Sequence, residues 1–448
     1  MSRTLLIKTA ITGFLALLLL IPLTAVESIV RERMALRDGV VANIQQSAVT
    51  TQRLVGPILV VPFVKTTIEA AVDTKTGVST RTSRTEEGQV MFVPEQLKVT
   101  TQAATEKRYR GIYSARLYNS HNTFAGNFSV PENFGIENRT PDTVAYRWGN
   151  AHIVLGIDDP RGIRGKLHVV WNSERREFQG GAAMAPLPAG VHAPVGRLSP
   201  QARDYSFAID LGLAGSEVLQ LVPTGKETHF AMKSSWPHPS FVGQFLPESR
   251  SIGAKGFEAV WRTSRLATNV EQALQTCTGE RDCPALLAKT VGVAFVDPVD
   301  VYLMLQRSAK YGFLFILFTF VLFSLFEVLQ RLAIHPVQYA LVGVALATFF
   351  LLLVALSEHL PFALAYAIAS TSCVALLGFY VSYVLRGVGR ASGFAAALAL
   401  LYGALYVLLQ SEDMALLLGA ILMFVILATV MLVTRRVDWY RLAAVETQ

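Results

Sequence analysis

The sequence predicts an α+β membrane protein: a large extracytoplasmic, antiparallel β-rich domain, with sandwich- or barrel-like sheets, inserted between the first and second of six transmembrane helices. Three observations predict this class. Hydrophobic residues make up 52% of the 448 residues and charged residues only 16%, against roughly 25% charged in soluble globular domains. The mean hydropathy of +0.39 agrees. The charges are unevenly placed, with 32 of 40 Lys+Arg and 27 of 33 Asp+Glu falling in Glu27–Tyr311. Within that charged segment, short runs rich in Val, Ile, Thr and aromatics alternate with Gly, Pro, Asn and Asp, as strands and turns do.

A helix needs ~20 mostly apolar residues to cross the hydrocarbon of a bilayer. Thr9–Val26, Gly312–Gln330, Val337–Leu356, Pro361–Leu385, Gly393–Leu409 and Met414–Val433 meet or approach that length. Arg3 and Lys8 ahead of the first run imitate a signal peptide, but the run is long and no small-x-small cleavage site precedes Glu27. It reads as an uncleaved anchor. The expected organisation is an anchor over 1–30, a β-rich domain over 31–310 with a helical start to about 50, a five-helix bundle over 311–435 and a tail over 436–448.

Charge then orients the helices. Arg3, Lys8, Arg331, Arg386, Arg390, Arg435, Arg436 and Arg441 all fall on one face of a six-span topology. The opposite short loops hold Glu358, Glu412 and Asp413 and no Lys or Arg. The positive-inside rule places both termini in the cytoplasm and residues 31–310 beyond the membrane. The net charge of +7 divides into +5 for the inserted domain (32 − 27) and +2 for the rest (8 − 6). That is too dilute for nucleic acid, which wants a concentrated basic face. The bilayer is the expected partner, with an envelope component or another membrane protein on the far side.

Within the inserted segment, Ile29, Val30, Ala35, Leu36, Val40 and Ile44 recur at helical spacing up to about Val49. Gly56–Pro57 ends that pattern. Ile58–Val64 is a β-branched run broken by Pro62, which suggests an edge or a bulge. Strands are expected at Gln89–Val93, Lys98–Thr101, Gly111–Tyr118, Thr123–Val130, Ile153–Gly156, Leu167–Trp171, Tyr205–Leu211, Glu217–Val222, Thr228–Ser234 and Gly256–Arg262. Residues 68–88 read as an exposed hairpin tip or mobile loop, and 179–203, with Gly, Ala and Pro, as a long connection.

Several fragments, in this order and spacing, resemble one family. They include LVGP at Leu54–Pro57, GIY at Gly111–Tyr113, DPRGI at Asp159–Ile163, WPHPSFVGQFLP at Trp236–Pro247 and GFEAVW at Gly256–Trp261. The helical half adds Asp297–Ile316, HPVQYALVG at His335–Gly343, LLLVALSEH at Leu351–His359 and RRVDWY at Arg435–Tyr440. Together they resemble the CreD family of bacterial inner-membrane proteins over nearly the whole chain. The resemblance implies a Gram-negative inner membrane, expression under a two-component regulator and a part in cell-envelope integrity. It brings no catalytic residues.

The residues themselves offer little catalysis. HExxH, a G-x-S-x-G elbow and a phosphate-binding Walker loop are missing from the sequence. GVGRASG at Gly387–Gly393 imitates a dinucleotide turn, but Ser392 stands where the third glycine belongs and the segment joins two apolar runs. His238, between two prolines and beside Trp236, would make a rigid binding rim or a proline-fixed packed loop; the second is favoured. Asp158, Asp159 and Arg161 fit an Asx-type turn with a local ion pair better than a cation site. Ionisable residues within a membrane are candidate functional groups. Glu327 stands four residues before Arg331, the spacing of a pair on one helix face, and Glu358 with His359 falls at the opposite boundary.

Cys277 and Cys283 lie in the inserted domain around TGERD, a segment able to turn back on itself; Cys373 is isolated in an apolar run. In an oxidising periplasm the first two are expected to form a disulfide. No cofactor or metal is expected. The sequence thus points to a non-enzymatic inner-membrane protein that maintains or senses envelope integrity as part of a stress response. A transporter or channel component is the alternative, and a membrane-anchored hydrolase a lesser one.

Overall fold

In the computed structural model, residues 3–435 are described apart from 73–78, 137–143, 186, 188, 278–282, 296, 298–299, 331–333, 385–387 and 412–413. The chain forms two units, Val40–Pro298 and the pair of segments Met1–Gly39 with Val299–Gln448. The divisions fall near 40 and 298 rather than at the expected 31 and 310. Helix extends past the apolar runs at both places, over Leu20–Ser47 and from Val301 onward.

The β-rich unit holds two sheets. Across the eight-stranded sheet lie Ser249–Gly253, Gly256–Ser264, Glu227–Ser234, Gln96–Arg110, Tyr113–Val130, Arg203–Ser216, Ile163–Trp171 and Glu174–Glu177. Alternation sorts its faces. Leu97, Val99, Thr101 and Ala103 are buried while Gln96, Lys98 and Gln102 are exposed. Tyr205, Phe207, Ile209, Leu211 and Leu213 repeat the pattern. The nine-stranded sheet runs Pro239–Gly243, Val291–Phe295, Val218–Val222, Gln52–Val72, Ala151–Ile157, Gly190–Gly196 and Gln179–Gly180; Ser79–Phe92 and Val144–Trp148 pair with Gln52–Val72. Inward side chains from both sheets, among them Leu59, Val61, Phe124, Phe128, Trp171, Phe207 and Trp261, form one core.

The other face of the nine-stranded sheet is covered as well. Ile58, Val60, Val154 and Val222 pack on Val270, Leu274, Leu286 and the Cys277–Cys283 bridge. Burial on both faces explains why Ile58–Val61 is a continuous apolar run rather than an alternating one.

Three expectations are corrected. The sheets are mixed, not antiparallel: Gln52–Val55 runs parallel to Leu219–Val222, and Gln96–Ala103 parallel to Glu227–Ser234. Hydrophobic alternation marks a strand but not its partner, and parallel neighbours are joined by long crossovers. The supposed connection over 179–203 contains the strand Gly190–Gly196, whose Pro194 and flanking glycines disguise it. Much of 68–88 forms the arms of a hairpin, paired from Leu59↔Phe92 to Val72↔Ser79; 73–78 lies outside the described residues. Pro62 sits where its strand changes partner, after Val60↔His152 and before Phe63↔Trp148, so its missing N–H breaks no ladder there.

Among the described residues, six helices are long and apolar enough to cross a membrane: Ala10–Ile44, Val301–Glu327, Pro336–Ser357, Phe362–Val384, Gly389–Gln410 and Leu416–Thr434. The first is interrupted at Leu19, three residues before Pro22, whose ring removes a helical donor and crowds the Leu18 carbonyl. His335 starts the third with a capping box shared with Gln338 and with Pro336 in the first turn. Phe315, Phe349, Tyr366 and Tyr402 form an aromatic centre, in which the Tyr366 hydroxyl donates to the Tyr402 carbonyl at 2.7 Å. The N-terminal helix joins this unit over two glycines: Leu19 fills the space a side chain at Gly343 would need, and Leu23 does so at Gly312. Such close approach is how helices pack in a medium as apolar as they are.

Candidate functional site

Most of the polar groups singled out in the sequence are held in structural contacts. The Trp236 indole N–H donates to the His238 carbonyl at 2.8 Å, and the two rings meet edge to face at 5.6 Å. The Arg116 guanidinium stacks 3.6 Å from the Trp236 ring centre and pairs with Asp297, which Lys107 also approaches at 3.6 Å. Trp236 is therefore a platform for a largely buried arginine. His238 is exposed at the surface.

DPRGI forms the expected turn. Asp159 caps the short helix Pro160–Gly162, accepting from the Arg161 backbone N–H at 3.1 Å and from its guanidinium at 2.7 and 2.9 Å. Those hydrogen bonds from Arg161 hold the Asp159 carboxyl below its usual range against the effect of burial. Burial pushes the neighbouring Asp158 up, with Arg53 opposing. The buried Gln52 amide donates to the Asp159 and Ala214 carbonyls at 2.9 and 3.2 Å and fixes the start of the first strand.

Among the helices, Glu327 is buried and accepts from the Tyr339 hydroxyl at 2.7 Å and from the Ile334 backbone N–H at 3.0 Å. It ties one helix end to the start of the next. Its expected partner Arg331 lies outside the described residues. Glu358 pairs with Arg33 at 3.1 Å, which fastens the N-terminal helix to the end of Pro336–Ser357. His359 is exposed, and its backbone N–H closes the final turn on Leu356. Cys277 and Cys283 are bonded to each other in the structure, with Cα atoms 5.4 Å apart; Cys373 is buried and free.

None of these residues lines the large cleft that opens on the nine-stranded sheet. It has a volume of about 660 Å³, within the range of small-molecule sites. Its floor forms where Gln52–Val72 passes from one partner strand to another. Pro62, Phe63 and Val64 face Gly88 and Gln89 on one side and Arg147, Trp148 and Gly149 on the other. Gly88 leaves no room for a side chain beneath the Phe63 ring. Phe63 meets Trp148 edge-on at 5.7 Å and Phe134 packs on Trp148 at 4.2 Å, on the face of the sheet opposite the Glu87, Gln89 and Arg147 side chains. Arg147, Arg197 and Glu87 bring charge to the rim. Among the described residues these three make no ion pair. No local pattern marks this site, because its residues come from five separated segments of strand and loop and none belongs to a motif.

Together, the paired apolar helices and the two-sheet β unit with its open cleft define a multi-pass membrane protein carrying a folded polar domain. The model of the family described as "Inner membrane protein CreD" matches residues 4–440. The Escherichia coli (strain K12) inner membrane protein CreD is 35% identical over 427 residues, covering 95% of this chain and 91% of that protein. The chain belongs to the CreD family of inner membrane proteins. Among solved structures, a Legionella pneumophila protein described as a candidate nutrient-binding protein aligns with a TM-score of 0.23 at 9% identity, over 49% of this chain and 74% of its own. A Salmonella injectisome secretin β-barrel aligns with a TM-score of 0.08 at 8% identity, over 37% of this chain and 61% of its own. Likenesses so slight carry no argument about fold or function.

Proposed function

We propose that this CreD-family protein is a non-enzymatic component of envelope integrity and stress response, whose β-rich unit lies on the periplasmic side and engages an envelope component through the Phe63–Trp148 cleft. The observation that carries this reading is the cleft itself. It presents Arg147, Arg197 and Glu87 without ion-pair partners among the described residues, over a floor built from the strand junction at Pro62 and Gly149. The polar clusters at Trp236, Asp159, Glu327 and Glu358 are occupied in packing, capping and helix joining. The positive-inside bias supports a cytoplasmic placement of both termini, with the β-rich unit outside. In that compartment the Cys277–Cys283 bridge forms and persists.

The test is photo-crosslinking in intact cells from a photoreactive residue at Gln89, in the cleft, and from one at Ile252, an exposed position on the eight-stranded sheet. An adduct with a periplasmic or membrane component at Gln89, not seen from Ile252, is the expected result. Equal or absent labelling at the two positions would defeat the reading.

A further inference from the structure

We infer that the helical unit holds one anionic phospholipid of the bilayer, with its phosphate on Arg307 and Lys310 and an acyl chain in the apolar groove beside them. The site lies wholly within the helical unit and owes nothing to the Phe63–Trp148 cleft.

Helical spacing builds the groove. Tyr311, Leu314 and Phe318 recur at intervals of three and four, so they share one face of the helix Val301–Gln330. Leu401, Leu405 and Leu408 do the same on Val388–Gln410, and Leu416, Ala420 and Met423 on Ala415–Thr434. The three faces border a volume of about 230 Å³. Phe315, Leu405 and Leu408 are buried and make its floor, while Tyr311, Leu314 and Phe318 are half-exposed and make one wall. The last helix leaves room opposite because Gly419 and Ala420 are small; a Cβ at Gly419 would already meet Leu408 at 3.5 Å. None of the lining residues is charged.

Size selects what fills this space. Tyr311 to Phe318 covers about 10 Å of helix axis. A partner helix, about 10–12 Å across with its side chains, is too wide to enter a slot of that volume. A single hydrocarbon chain is not. Water finds no polar partners in so apolar a slot, and left empty it would forfeit the contacts of every atom lining it. The filling that a bilayer supplies is an acyl chain.

Charge selects the head. Arg307 stands four residues before Tyr311 and Lys310 four before Leu314, so both lie one turn beyond the groove along its own wall. They are the last charged residues of that helix before Glu327, and their long stems can carry the charge to the headgroups. On the N-terminal helix Arg31 is paired with Glu27, Arg33 with Glu358 and Arg37 with Asp300. Arg307 and Lys310 make no ion pair among the described residues. Two such cations at the head of an apolar slot between helices match a lipid phosphate. A zwitterionic headgroup brings a cation of its own to the same place and gains less.

The test uses the full-length protein in a mild detergent, titrated with dioleoyl phosphatidylglycerol or dioleoyl phosphatidylcholine and read by native mass spectrometry. One saturable adduct is expected, at least about tenfold tighter with phosphatidylglycerol. R307Q/K310Q should bring the two lipids within about twofold of each other. Ala420→Phe, at an exposed position of the last helix, fills the groove and should weaken both lipids by about fivefold or more. R31Q and E412Q/D413N change charges at residues that do not line the groove, and should keep the preference. Equal binding of both lipids by the unaltered protein overturns the inference. So does a preference that survives R307Q/K310Q, one lost in either charge control, or binding indifferent to Ala420→Phe. A lipid-free dimer that Ala420→Phe dissociates would assign the groove to a second copy of the chain and overturn it as well.

Discussion

The two units of this chain bury apolar residues under opposite rules. In the β-rich unit, large apolar side chains go inward and charges outward, so Trp261, Phe124 and Phe128 are almost fully enclosed while Lys98 and Gln102 are exposed. In the helical unit, large apolar side chains point both ways. Phe323, Phe349 and Phe394 are enclosed, yet Phe379, Leu400 and Phe424 are wide open, and the central stretch of the last helix buries nothing. Water selects the first pattern. Lipid is indifferent between an apolar core and itself, so in the second unit close fit at small residues and a few polar contacts must choose the packing.

The largest effect that separates these rules is a truncation on each side. Trp261 stacks on Phe230 at 4.9 Å and meets Phe241 edge to face. Trp261→Ala should cost about 3–5 kcal/mol, read as loss of protease resistance across the β-rich unit. Leu417→Ala, on the exposed last helix, should change stability by less than about 0.5 kcal/mol. Comparable losses from both would break the contrast.

The glycines sharpen it from the other side. A methyl group at Gly343 would overlap Leu19 of the N-terminal helix, whereas one at Gly403 meets only open space. Gly343→Ala should destabilise by about 1–3 kcal/mol and loosen that helix from its neighbours. Gly403→Ala should be neutral or stabilise by up to about 1 kcal/mol through helix propensity. Thermal aggregation of the two proteins in one detergent makes the comparison.

These rules also govern what could be read from the sequence. Apolar length alone disclosed every long helix, and alternation disclosed strands such as Lys98–Thr101 and Tyr205–Leu211, because each signal is local. Strand pairing is not local: nothing near Gln52 or Glu227 announces a parallel partner more than a hundred residues away. Trp236 and Glu327 drew notice because an indole among prolines and a carboxylate in an apolar helix are chemically conspicuous, and the structure occupies both in packing. Arg147 and Arg197 were invisible for the converse reason. A surface arginine is ordinary until the fold gathers it with others around one cleft.

A smaller effect concerns the Cys277–Cys283 bridge, buried beside Leu274 and Leu286 on the outer face of the nine-stranded sheet. It closes a short loop, for which chain entropy gives roughly 2 kcal/mol. Cys277→Ser with Cys283→Ser should lower the thermal midpoint by a few degrees and leave the β-rich unit folded. Collapse of the whole unit would show that the bridge holds more than its local turn. Labelling of both thiols in protein taken directly from cells would show that the bond is not made there.

The smallest expected effect is a pH dependence at the paired histidines of the nine-stranded sheet. His152 Nε2 lies 3.1 Å from the Ala183 carbonyl and His192 Nδ1 lies 2.7 Å from the Gly181 carbonyl, so the two rings hold one loop from adjacent strands. The rings stand 5.7 Å apart. Burial, and to a lesser degree the neighbouring His192, lowers the His152 pKa from its ordinary 6.5, although the Ala183 carbonyl pulls the other way. A folded pKa below the unfolded one means that the unfolded chain takes up the proton first. The contribution to stability is therefore complete above pH 6.5 and declines as pH falls through that value toward the folded pKa. His152 is half-buried, so solvent screens the effect and the slope should be shallow. The thermal midpoint of the full-length protein should hold steady from about pH 8 to 7 and drop toward pH 5, with a smaller drop in His152→Gln. The glutamine amide donates to the same carbonyl without titrating. A drop equally steep in both proteins would remove His152 from the account.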